Sequence, residues 1–130
     1  MEVIIFKGYW SISNVRAMPE YLFIYADNDI KRGRGGQAII RDEPNTIGIP
    51  TKKLPNNYRD SFYSDDEYSD NCAKIDKAIK DIEDKMKKYK GIVIPAAGYG
   101  TGLAKLDKYA PKTLEYINLK IQYIRSLHNL

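Results

Sequence analysis

Three glycines in four positions, Gly33, Gly35 and Gly36, follow a corner made of Asp27, Asn28 and Asp29, a pattern that suits the binding of a phosphorylated ligand. Glycine lets the backbone come close to an anion with its N–H groups exposed. A helix opening near Gly36, through Gln37 and Ala38, would add the positive end of its dipole. A second segment repeats the logic: Gly98-Tyr99-Gly100-Thr101-Gly102-Leu103 is a loop of small residues with one hydroxyl. Either loop alone is equally a tight connection. Together they point to a diphosphate or a dinucleotide-like ligand.

Each loop needs a strand to carry it. The aromatic and β-branched run Tyr21-Leu22-Phe23-Ile24-Tyr25 leads into the first, and Gly91-Ile92-Val93-Ile94-Pro95 into the second. Strands are expected at 3–6, 21–26, 46–50 and 92–95, with a short helix or helical turn at 37–42. The stripe Cys72, Ile75, Ile79, Ile82 and Met86 predicts a helix over 70–89. Pro111, in a favoured first-turn position, opens a last helix with Leu114, Ile117, Ile121, Ile124 and Leu127 on one face. Strands alternating with helices indicate an α/β chain whose sheet is mainly parallel or mixed and covered on two sides. Both loops then lie outside the carboxyl ends of their strands, where ligands bind in such sheets.

At 130 residues the chain reads as one domain, 1–130, with enough core to need no disulfide or metal. Its one cysteine, Cys72, excludes an internal disulfide and a cysteine-based metal cluster, and His128 is the only histidine that could pair with it. No cofactor is expected. The net charge of +4 comes from 21 basic and 17 acidic residues interleaved along the chain, a mild bias toward anionic partners. The lysine-rich stretch 74–90 alternates in sign around its apolar stripe and reads as a solvated helix face. Residues 1–7 are too short and too acidic for a signal peptide, and no run approaches a membrane span, so the expected location is the cytoplasm. The bias toward Lys, Ile, Asn and Tyr fits an AT-rich genome such as that of many phages, in which case the cytoplasm is the host's.

Between 53 and 70 the composition changes to Pro55, Asn56 and Asn57, then Tyr58, Phe62, Tyr63 and Tyr68 among acidic residues. So long a connection reads as a surface loop, either a lid whose aromatics stack on a base or a mobile, solvated excursion. The cluster Asp65-Asp66-Glu67 is either solvent-facing or a divalent-cation site.

With both loops placed, the chain resembles the macro domain family, the ADP-ribose-binding α/β modules. Tyr25-Ala26-Asp27-Asn28 takes the family's asparagine-rich place after a buried strand, with Gly33, Gly35, Gly36, Gln37 and Ala38 at the family's spacing. Ile92-Val93-Ile94-Pro95 followed by Gly98 to Leu103 looks like the family's second segment, a strand ending in proline before a Gly-Thr-Gly loop. Gly8-Tyr9-Trp10-Ser11 stands where the family has a Gly-Asp pair. The resemblance implies a three-layer αβα sandwich with a macro-like mixed sheet. It also implies a cleft in which the two loops hold the diphosphate and the distal ribose lies near Asn28.

The departures bear on chemistry. The family aspartate that recognises adenine falls at Tyr9, so another group must read the base, or Tyr9 and Trp10 stack on it. Ala38 stands where one hydrolytic branch has its catalytic aspartate. Ile49-Pro50-Thr51-Lys52-Lys53 resembles the terminal ADP-ribose protein glycohydrolases, in which a lysine attacks the anomeric carbon of the distal ribose. Such an amine needs a pKa depressed by burial or by a nearby cation, which Lys53 would supply to Lys52. That branch's acid/base aspartate corresponds to Ala104, with Asp107 three residues on. Of the carboxylates flanking Asn28, Asp29 is expected to cap the turn, and Asp27 either caps it or orients a water.

The function expected from this resemblance is binding of ADP-ribose or a related NAD-derived nucleotide, with Asn28, Asp27 and Lys52 as candidates for hydrolysis of ADP-ribosyl linkages on protein or nucleic acid. One alternative is a reader or sequestering protein without catalysis. The other is a nucleic-acid-binding module that places Arg32, Arg34, Lys52 and Lys53 on phosphates.

Overall fold

The computed structural model describes residues 1–127. Strands β1 (Glu2–Phe6), β2 (Tyr21–Asn28), β3 (Thr46–Lys52) and β4 (Gly91–Pro95) form one sheet in the order β1-β4-β2-β3. All three ladders are parallel, so these strands do not form the mixed sheet implied by the resemblance. Parallel neighbours need crossover connections. The chain between β1 and β2 forms the short helix α1 (Ile12–Arg16), and that between β3 and β4 the long helix α2 (Tyr68–Met86). After β4 come α3 (Leu106–Tyr109) and α4 (Pro111–Ser126).

The central strand β2 faces two cores, because successive strand side chains point to opposite sides of a sheet. Leu22 and Ile24 join Ile75, Ile79 and Ile82 of α2 and Ile117, Ile121 and Ile124 of α4. Tyr21, Phe23 and Tyr25 pack with Trp10, Val15, Ala38 and Ile40. Both helical stripes read from the sequence are therefore core faces, with Cys72 half-buried at the edge of one. His128 lies outside the described residues.

Helix α1 was not expected from periodicity, although its start is written locally. Ser11 accepts a hydrogen bond from the Asn14 N–H while the Asn14 side chain accepts from the Ser11 N–H, a capping box. The short helix or helical turn expected at 37–42 is a 3-10 turn of five residues, Gly36–Ile40, too short to offer the expected helix dipole to an anion.

The connection after β3 divides, with Pro55, Asn56 and Asn57 lining a cleft at the strand ends and the aromatic residues that follow Ser61 anchored in the fold. Ser61, Phe62 and Tyr63 are buried, and Phe62 makes an antiparallel bridge to Lys52. The acidic cluster is divided between structural tasks. Asp65 accepts from the Lys112 N–H (2.9 Å), the Thr113 N–H (3.1 Å) and the Thr113 hydroxyl (2.9 Å), closing the first turn of α4, while Glu67 pairs with Lys53. Among the described residues no group of three or more His, Cys, Asp or Glu is placed to hold a metal ion. Among them, too, no helix is long and apolar enough to cross a membrane.

Candidate functional site

Strands β2 and β4 pair only over Tyr21 to Phe23, and beyond that point side chains replace the ladder. The Gln37 amide accepts from the Ala26 N–H (2.8 Å) and donates to the Gly98 carbonyl (2.9 Å), spanning the gap between the strands. Below it the Tyr99 hydroxyl donates to the Ile24 carbonyl (2.9 Å). The divergence thus leaves neither backbone group unpaired, which is the condition for opening a sheet from its end.

The opening is a cleft of about 900 Å³ at the carboxyl ends of all four strands. Of the ligand-binding residues expected from the sequence, Tyr9, Trp10, Gly33, Gly35, Gly36, Gln37, Ala38, Gly98, Gly100, Thr101, Gly102 and Leu103 line it, as do Asp27, Asn28 and Lys52. Tyr99 does not. Its ring is 2% exposed and its hydroxyl is committed to Ile24, so it props the loop from beneath. Tyr9 stands at the rim, 99% exposed and free to stack, whereas Trp10 is wedged edge-on between Phe6 and Phe23 and offers the cleft only a margin of its ring. The two glycine loops touch through Leu103. A Cβ on Gly35 would come within 2.9 Å of Leu103 Cδ1, the far end of an exposed side chain that can swing aside.

Asp27 is held rather than free. Arg41 donates to it twice, Nε to Oδ2 at 3.1 Å and Nη2 to Oδ1 at 2.5 Å, and the Tyr25 hydroxyl and the Asn28 N–H also donate to it. The same guanidinium reaches the Gly33 carbonyl at 2.5 Å and the Arg32 carbonyl at 3.3 Å, pinning the glycine loop to the sheet. The Asp27 hydrogen bond and burial act in opposite directions on Arg41, and the hydrogen bond prevails, raising its pKa. Burial, with the Asp27 charge behind it, pushes the Tyr25 hydroxyl up and keeps it protonated. Gly48 on β3 leaves room for this cluster, since a Cβ there would meet Asp27 Cβ at 3.1 Å.

The Asn28 side chain turns back on its own loop, donating to the Arg32 carbonyl (2.7 Å) and accepting from the Arg32 N–H (3.3 Å). Asp29 is not the expected cap. It points away from the loop, accepting from the Tyr63 hydroxyl (2.5 Å) and pairing with Lys74 (2.7 Å). Among the described residues Asp27 is thus the only carboxylate lining the cleft, and it is neutralised. Asp107, on α3, is exposed and lies outside it.

Lys52 stands apart from these pairs. The register between β2 and β3 slips after Asp27, which pairs with Pro50 while Asn28 pairs with Lys52, and bulges of this kind re-aim side chains at sites. The Lys52 ammonium lies 4.6 Å from the centre of the Phe62 ring with no carboxylate in ion-pair reach among the described residues. Burial depresses its pKa, and Lys105 adds to the effect. Lys105, not the expected Lys53, is therefore the neighbouring cation, because Lys53 is drawn off by Glu67. Arg34 is likewise paired, with Asp42.

Arg41 and Lys105 escaped the sequence reading, whereas Pro55, Asn56 and Asn57, which open the long loop singled out there, line the cleft on the β3 side. Neither Arg41 nor Lys105 carried a local signal, since each acts on a residue distant in sequence. No curated protein and no solved structure matches the chain. Residues 5–120 match a family of unknown function, DUF7831, over most of the chain's length, and the chain belongs to that family.

Proposed function

We propose that the cleft binds ADP-ribose or a related NAD-derived nucleotide, with the diphosphate between the 33–36 and 98–102 loops and the distal ribose toward Asn28 and Lys52. The observation that carries this reading is the make-up of the cleft. Two glycine loops approach each other across the ends of β2 and β4, and the Asp27 carboxylate in the walls is cancelled by Arg41. Lys52 and Arg32 then leave the cavity positive, as a diphosphate needs. Tyr9 supplies an exposed ring for the base at the β1 end. On this reading the α2 and α4 side of the sheet and the α1 side are the outer layers of a three-layer αβα sandwich of macro type.

Calorimetric titration of ADP-ribose, with AMP and NAD as controls, tests the proposal. Gly102→Glu is the informative variant, because a Cβ at Gly102 meets nothing within 4 Å and the new carboxylate would project where the diphosphate is placed. Micromolar binding of ADP-ribose, lost in Gly102→Glu, is the expected result. No heat with any of the three ligands would overturn it.

A second reading, removal of ADP-ribose, is favoured by Lys52. An unprotonated Lys52 amine would attack the anomeric carbon of the distal ribose as the glycosidic bond breaks. The bonding pair would leave with the macromolecule, and the proton shed by the amine would pass to that leaving group; water would then add at the anomeric carbon of the adduct, freeing ADP-ribose and returning the Lys52 amine. Without Lys52 the site is a reader. Retention of ADP-ribose binding by Lys52→Met, with loss of any release activity of the wild type, separates the two.

A further inference from the structure

Cations without carboxylate partners continue from the cleft onto the neighbouring surface, along two aromatic rings packed at a tilt of 40°. Lys52 lies over one end of this row, 4.6 Å from the Phe62 ring, and Lys105 lies over the same ring at 5.7 Å. Phe62 packs against Tyr109 with centroids 4.8 Å apart. Tyr109 in turn carries the Arg59 guanidinium at 4.2 Å and Lys108 at 5.0 Å. None of these four side chains forms an ion pair among the described residues, whereas Lys53, Lys74, Lys77 and Lys120 each do. The two acidic side chains nearest in sequence, Asp60 and Asp107, are both exposed and leave the row net positive.

A ring beneath a cation orients it at little cost and leaves its outward N–H groups free for an external acceptor. Four cations gathered over two adjoining rings, without carboxylate partners, match the repeated phosphates of a polynucleotide better than the scattered carboxylates of a protein surface. The aromatic faces are already covered, so binding is to the backbone rather than to stacked bases, and sequence preference should be weak.

We infer that the Arg59, Lys105 and Lys108 ledge binds the phosphodiester backbone of a nucleic acid and leads it to the mouth of the cleft at Lys52. This deepens the proposed function by naming the macromolecule that presents its ADP-ribose to the cleft, and it rests on that reading. The ledge itself is testable without it.

The experiment is fluorescence anisotropy of a labelled, unmodified oligothymidylate titrated with wild type, Lys108→Glu and the double variant Arg59→Gln with Lys108→Gln, each at several salt concentrations. The ADP-ribose titration is run on the same preparations as a check of folding and of the cleft. Wild type should bind the oligonucleotide with a steep salt dependence. The double variant should bind at least about tenfold more weakly at low salt, its log–log salt slope flatter by about 1.4, or about 0.7 for each phosphate no longer neutralised. Its affinity for ADP-ribose should be unchanged. Equal oligonucleotide binding by wild type and both variants would overturn the ledge, as would equally tight binding of polyglutamate. Ledge-dependent oligonucleotide binding by a wild type that ignores ADP-ribose would leave the ledge standing and overturn the cleft reading alone.

Discussion

Arg41 grips Asp27 through both of its carboxylate oxygens and, with the same guanidinium, holds the Gly33 and Arg32 carbonyls, so one residue fixes the first glycine loop to β2. The pair is nearly enclosed, with side chains 13% and 4% exposed. Removing one member would leave the other charged and unpartnered. Arg41→Met is therefore expected to destabilise the fold by about 3 kcal/mol, measured by denaturant unfolding. Asp27→Asn keeps the shape of the side chain and one of its acceptor oxygens, and should cost less. A fully stable Asp27→Asn protein that had lost only a catalytic activity would contradict this assignment and restore Asp27 as a working carboxylate.

Gln37 tests how the cleft is held open. Gln37→Leu leaves the Ala26 N–H and the Gly98 carbonyl without their partner, an expected loss of about 1–3 kcal/mol. Amide hydrogen exchange at Ala26 should accelerate more than at Phe23, whose N–H is held by the Asn45 carbonyl. Uniform acceleration would mean that the amide bridge has no local role.

Lys52 makes a pH prediction with a definite sign. Its pKa is lower in the fold than in the unfolded chain, so below the folded value both states are protonated and the cost of burying the charge is fully present. As pH rises from that value toward the ordinary lysine range, the unfolded chain holds more protons than the fold, and stability increases. Lys52→Met removes the cost. It should raise the melting temperature at pH 7, with a gain that shrinks as pH approaches the ordinary lysine pKa of about 10.4. A gain independent of pH would place its origin in packing instead.

The glycines of the second loop differ in what they tolerate. Gly100 has φ +85° and the Leu106 side chain packed against it, so Gly100→Ala should destabilise by about 1–3 kcal/mol. Gly102 is open, and Gly102→Ala should leave the melting temperature within experimental scatter. Melting curves of the two variants side by side decide this, and similar losses from both would contradict the geometry.

Asp65 should behave as a helix cap. Asp65→Ala removes three hydrogen bonds at the start of α4 and is expected to cost about 1–2 kcal/mol. Calcium added to the wild type should not move the transition. A calcium-dependent rise abolished by Asp65→Ala would return the acidic cluster to the role of a cation site.

Local features of the chain determined a good part of this protein. Continuous aromatic and β-branched runs mark the buried strands, and stripes of period 3.6 mark the two long helices, because both are set by neighbours a few positions away. Pro111 marks the start of α4 for the same reason, and the glycine loops are legible because a backbone approach or a positive φ is a demand on one residue. Tertiary structure alone decided which polar groups face the cleft. Asp27 and Asn28 have the side chains of a working site, yet one is taken by Arg41 and the other by its own loop. Tyr99, within a binding-loop pattern, points into the core, while Phe62 and Tyr63, in a loop that reads equally as a lid or as a solvated excursion, are buried. A charge or a hydroxyl takes whichever partner the fold brings within about 3 Å. Those partners lie 14 residues away for Asp27, 47 for Asp65 and 75 for Tyr99, distances over which sequence spacing carries no information.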